Sequence, residues 1–143
     1  MGYSALSANT SGTGGVAVGY RALTAATTGN NNVAVGYDAG AAITTGGQNT
    51  IIGTLALDAC STGGSNTALG YQTLTSLTTG SQNIAVGQNA LAENTTADKN
   101  IAVGYNALQT NTTGTKNTAL GYIALQDNTD GLYKTAVGSD CLL

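Results

Sequence analysis

The sequence predicts an all-β protein, a parallel β-solenoid (β-roll) with 17 residues in each coil. Three observations predict it. One glycine returns at a constant spacing of 17 residues. The apolar segments between the glycines are too short for helices. The composition lacks the bulky residues that a thick core requires.

The glycine register comes first, because internal periodicity overrides local propensity. Gly2, Gly19, Gly36, Gly53, Gly70, Gly87, Gly104, Gly121 and Gly138 hold the 17-residue spacing with no insertion or deletion between them. One repeat, counted from its asparagine, runs from Asn100 to Lys116. In its fourth place stands a large aliphatic residue: Val18, Val35, Ile52, Leu69, Val86, Val103, Leu120 or Val137. The ninth place is Leu, as in Leu23, Leu57 and Leu108, with Gly40 the exception. The third and eighth places are mostly Ala, and the thirteenth to fifteenth read Thr-Thr-Gly, as at Thr27, Thr28 and Gly29.

Each element follows from these columns. Asn-x-Ala-Val-Gly is a short β-branched segment, Ala-Leu opens a second one, and Thr-Thr-Gly with the next Asn is turn chemistry. Neither segment exceeds ~5 residues, so helices of ~10 or more do not fit. Two short strands and two bends make one coil. About eight and a half coils stacked at ~4.8 Å give a rod of roughly 40 Å. A single coil cannot bury its own apolar face, so its neighbours must cover it. The recurring glycine serves either a bend of positive φ or a close backbone approach. Because Ala two residues earlier shares its side of a strand, close approach is favoured, with a second chain as the expected neighbour.

Composition sets the function classes. The chain of 143 residues has 21 glycines, no proline, histidine, tryptophan or phenylalanine, and 8% charged residues. Tyr is its only aromatic. The net charge is −3, and Arg21, Lys99, Lys116 and Lys134 are scattered. Grouped cations for phosphates are therefore missing, which argues against nucleic acid and anionic membranes. No apolar run approaches the ~20 residues of a membrane span. Met1-Gly2-Tyr3-Ser4 shows neither the charged nor the apolar region of a signal peptide. The expectation is a segment cut from a longer protein, or a virion part released by lysis. Without histidine, general-base chemistry lacks its commonest actor, so the chain is expected not to be an enzyme and to need no cofactor.

Asn-x-Ala-Val-Gly-x-x-Ala-Leu resembles the head repeats of YadA-like trimeric autotransporter adhesins. The Gly-Tyr-x-Ala and Asn-Thr-Thr-Gly units also look like those of phage tail-fibre-like proteins. The resemblance spans Gly2 to Leu142. It implies a left-handed roll, a homotrimer and an extracellular place, as the head of a cell-surface adhesin or the shaft of a virion tail fibre. The nine glycines match the family glycine, and the fourth-place residues from Val18 to Val137 match its core aliphatic. No neck, heptad stalk or anchor accompanies them. The constant repeat length and the Tyr after Gly lean toward the fibre type. The expected trimer places the Ala and Gly columns at close chain contacts, so that Ala102→Leu disturbs assembly more than Gln109→Leu. Residues 1–143 are read as one repeat domain of a longer fibre. Hexapeptide-repeat acyltransferases, also left-handed β-helices, differ in coil length and use a histidine that this chain lacks.

The ligand-binding candidates are weak ones. Tyr20, Tyr37, Tyr71, Tyr105 and Tyr122 share one column with Tyr3, interrupted by Thr54, Gln88 and Ser139. Such a column reads either as an aromatic stripe for glycans of a host surface or as a stacking ladder along the roll edge, and its regularity favours the ladder. The paired threonines raise the alternative of an ice-binding solenoid. Adjacent side chains point to opposite sides, however, and Gly follows them, which is turn chemistry. Asn32, Asn49, Asn66, Asn83, Asn100 and Asn117 read as an amide ladder or as tolerated left-handed turns. Cys60 and Cys141 stand in different columns, nearly five coils apart, too far for a disulfide. Two thiols alone hold no structural zinc. Asp38, Asp58, Glu93, Asp98, Asp127, Asp130 and Asp140 form no column, which disfavours a metal-binding roll. The chain starts and stops inside repeats, Met1 in the fourth place and Leu143 in the tenth. No polar cap is visible, so both ends are expected to be covered, by end-to-end stacking or by the rest of a fibre.

Overall fold

The computed structural model describes residues 2–142; Met1 and Leu143, the two ends of the predicted phase, lie outside them. Eight strands form one parallel sheet in chain order: β1 (Val16–Val18), β2 (Val33–Val35), β3 (Thr50–Ile52), β4 (Thr67–Leu69), β5 (Ile84–Val86), β6 (Ile101–Val103), β7 (Thr118–Leu120) and β8 (Thr135–Val137). Each residue pairs with the one a full coil later, Ala34 with Ile51 and Ala102 with Ala119. The molecule is therefore a β-solenoid whose coil is the sequence period.

Each coil has one strand, not two. The Ala-Leu segment is a train of turns, because its seventh and ninth residues are left-handed. Leu23, Leu57 and Leu108 have φ of 50–51°, and Asn106 has 53°. Local bonds close the turns, such as Ala26 N–H to Leu23 O at 3.2 Å and Asn111 N–H to Leu108 O at 3.2 Å. A left-handed leucine costs roughly 1–2 kcal/mol. Full burial of that side chain contributes about 1.5–3 kcal/mol and offsets the strain, since Leu23, Leu57 and Leu108 are wholly buried.

The strand faces invert the sequence expectation. The third-place residues, Ala34, Ile51, Ala68 and Ala102 among them, are fully buried. The fourth-place residues point outward: Val18, Ile52, Leu69 and Leu120 are 40–45% exposed. Val18 to Val137 are thus an outer column rather than the core. Alternation along a three-residue strand puts the middle residue in and its two neighbours out. In a coil this narrow, alanine fits beside the buried ninth-place leucines, and the larger Ile51 fits only where Gly40 leaves the neighbouring ninth place empty.

The glycine column joins both causes weighed from sequence. Gly19 to Gly138 have φ between 120° and 144°, a region open to glycine. A Cβ on Gly104 would also collide with the carbonyl of Gly121, and one on Gly36 with that of Gly53. The close neighbour is the next coil of the same chain, not a second chain. The Ala column likewise packs inside its own roll, so Ala102→Leu attacks the fold before any assembly.

Candidate functional site

The most distinctive surface is the outer face of the sheet. Its two columns, second and fourth in the repeat, carry Val16, Val18, Val33, Val35, Ile84, Val86, Ile101 and Val103, with Thr50, Thr67, Thr118 and Thr135 among them. No charged residue interrupts it over eight strands. Eight strands at ~4.8 Å and two columns ~7 Å apart give a strip of roughly 270 Å². That approaches the size of the largest apolar patch on a typical monomer, which is often functional. Sequence reasoning assigned half of this strip to the core. Val-Ala-Val is apolar on both faces, so its alternation alone does not say which side is the tight one.

The tyrosine column flanks the strip, one residue past the glycine. Tyr3, Tyr20 and Tyr37 stack at ring-centroid distances of 5.5 and 5.2 Å, and Tyr105 stacks on Tyr122 at 5.3 Å. The planes are 9–12° from parallel. Tyr20, Tyr37, Tyr71, Tyr105 and Tyr122 remain 40–51% exposed. The structure brings these candidates into one ladder, with Tyr71 standing between Thr54 and Gln88.

A second tyrosine feature was not read from sequence. Tyr133 lies in the seventeenth column and accepts a hydrogen bond from Lys116 Nζ at 3.0 Å; that nitrogen also sits 4.8 Å from its ring centroid. The bond and the positive charge of Lys116 hold the phenol below its ordinary pKa range.

The polar columns have structural tasks. Asn32, Asn49, Asn66, Asn83, Asn100 and Asn117 form a spine, and all six are buried. Each Oδ1 accepts the backbone N–H at the same place in the next coil, as Asn83 Oδ1 does from Asn100 at 3.0 Å. Each Nδ2 donates to a carbonyl 14 residues on, Asn83 to Ala97 at 2.8 Å. The thirteenth-place hydroxyls are engaged too: Thr27 donates to Thr44 O at 3.1 Å and Thr78 to Thr95 O at 2.9 Å. The fourteenth-place threonines, Thr28, Thr45, Thr79 and Thr113 among them, are exposed.

The remaining candidates do not converge. Cys60 and Cys141 are free thiols, and burial pushes that of Cys60 up despite a contact with Gly63 O. The carboxylates take separate partners: Asp38 pairs with Arg21 at 3.4 Å, Asp58 accepts from Thr75 Oγ1 at 2.7 Å, and Asp98 from Ser81 N–H at 2.6 Å. Among the described residues no group of three or more His, Cys, Asp or Glu could hold a metal ion, and no helix is long and apolar enough to cross a membrane. A cavity of about 300 Å³ lies at the last coil, lined by Leu125, Asp127, Asn128, Lys134 and Leu142.

Fold and surface together define a β-solenoid repeat protein. No protein-family model, curated protein or solved structure matches the chain.

Proposed function

We propose that this chain is a rigid shaft or head segment of an extracellular fibre, of the phage tail-fibre or cell-surface adhesin kind. It acts as a spacer with attachment to a host surface as its second role. In this reading three left-handed rolls assemble as a homotrimer, and no reaction is assigned to the chain. The observation that carries it is the charge-free outer face of the sheet, aliphatic but for four threonines. An aliphatic strip left to water in one chain is the surface that a second and third copy would cover, because burying it stabilises association by about 25 cal/mol per Å² of apolar area. The Ala and Gly columns are withdrawn from this role, since they are internal to one roll.

Sedimentation equilibrium tests the reading. The expected result is an assembly of three chains. Val86→Lys together with Val103→Lys, both pointing outward, should give monomers that keep the β-type circular dichroism spectrum. A stable folded monomer of 14.1 kDa for the unaltered chain overturns the proposal. Ice binding is the competing class. The engaged hydroxyls of the thirteenth column support the shaft over it, and clear thermal hysteresis would reverse that preference.

A further inference from the structure

Between Tyr3 and Tyr122 the tyrosine ladder is interrupted twice, and both interruptions have the same width. Thr54 stands where a ring would bridge Tyr37 and Tyr71, and Gln88 where one would bridge Tyr71 and Tyr105. The backbone runs through both gaps without slipping. Leu55 N–H bonds Tyr37 O at 2.9 Å, Gln72 N–H bonds Thr54 O at 3.1 Å, Asn89 N–H bonds Tyr71 O at 3.0 Å, and Asn106 N–H bonds Gln88 O at 3.0 Å. Each gap therefore spans two coil steps, roughly 10 Å, where the intact ladder places rings 5.2–5.5 Å apart. One six-membered ring is missing from each.

We propose that these two gaps are slots that each take one pyranose ring edge-on, sandwiched between tyrosine faces. Aromatic faces carry negative π density, and a pyranose presents C–H groups on both of its faces. Its hydroxyls lie around the rim, where they meet water on one side and the floor of the slot on the other. Those floors are polar: Thr54 and Gln88 are exposed, and neither side chain is engaged in a hydrogen bond among the described residues. Apolar walls with a few free polar groups are the usual make-up of a small-ligand site. Because the ring plane lies across the rod, a terminal sugar enters and the rest of a glycan leaves sideways. This deepens the attachment half of the proposed function and rests on it. The slots belong to one chain, however, so they do not depend on the trimer.

Saturation-transfer NMR with methyl α-glucopyranoside, methyl β-galactopyranoside and methyl N-acetyl-β-glucosaminide tests the slots. At least one probe should receive saturation on ring protons of both faces. Thr54→Tyr with Gln88→Tyr fills the slots using the column's own residue, so the coil is preserved and the saturation should be lost. Tyr133→Ala, in another column, should leave it unchanged. Three results overturn the proposal: no probe sugar saturated, saturation undiminished in the filled variant, or saturation of phenol without any of the sugars. Sugar saturation in a chain that sediments as a monomer would sink the shaft reading alone; a trimer blind to all three sugars would sink the slots alone.

Discussion

The coils holding Ala26 to Leu77 and those from Asn94 onward fill the same inward place differently, while the first coil carries Asn9 there. In the first region the twelfth position carries carbon or sulfur: Ala26, Ile43, Cys60 and Leu77, all buried. In the second it carries an amide, at Asn94, Asn111 and Asn128. Asn94 Oδ1 accepts Ala97 N–H at 2.9 Å, and Asn111 Nδ2 donates to Gly114 O at 2.9 Å. That Gly114 carbonyl already receives Asn100 Nδ2 of the spine at 2.8 Å. A carbonyl has two lone pairs, so the twelfth-place amide is an additional bond, whereas the spine asparagine is the constant one. The contrast separates what every coil needs from what each coil can vary.

The spine should therefore be the most costly place to strike in either region. Asn66→Ala leaves the Asn83 N–H and the Gly80 carbonyl without their buried partner, and a loss of about 3–5 kcal/mol is expected from two unsatisfied groups. Urea unfolding measures it, in the monomeric outer-face variant if assembly obscures the transition.

Gly40 gives a sharper test within the first region. It replaces the ninth-place leucine, and Ile43 and Ile51 fill the space. A Cβ there would approach Ile51 Cδ1 at 2.8 Å and Ile43 Cδ1 at 3.1 Å. Gly40→Leu should cost about 3 kcal/mol by overpacking. Ile51→Ala in the same chain restores the usual Leu and Ala pairing and should recover most of the loss. A double variant no more stable than Gly40→Leu alone would refute the compensation.

Exchanging the regional types should be unequal. Leu77→Asn gives up a wholly buried aliphatic side chain and should cost about 2 kcal/mol. Asn111→Leu leaves the Gly114 carbonyl still paired with Asn100 and should cost about 1 kcal/mol. Equal losses from thermal or urea unfolding would mean that the amide is as necessary as the carbon.

The smallest effect belongs to the last coils. Tyr133 should lose its proton below the usual phenol range, and Lys116→Met should return it to that range. Ultraviolet difference titration reads this directly, with no change in stability expected at neutral pH, since the group is exposed.

Much of this architecture is legible in the residues. The 17-residue return of Gly104 and its equivalents sets the coil, because one insertion would put a Cβ against a carbonyl. The Asn column, the tyrosine ladder and the unpaired cysteines follow from the same register. The one-strand coil is not legible, since Ala-Leu carries no sign that Leu108 will be left-handed; it becomes so because its neighbours bury it. Tyr133 escaped notice because it stands outside the repeating tyrosine column.

The sequence by itself determined the period, the parallel register and the thin interior, since those depend on residue spacing and side-chain size. Only the tertiary structure decided which side of the strand faces in. Val-Ala-Val is apolar on both faces, so hydrophobicity alone assigns neither. Width settles it: stacked coils carrying Leu108 and its equivalents leave room for a methyl group on the inside, except where Gly40 makes way for Ile51, and turn the valines out.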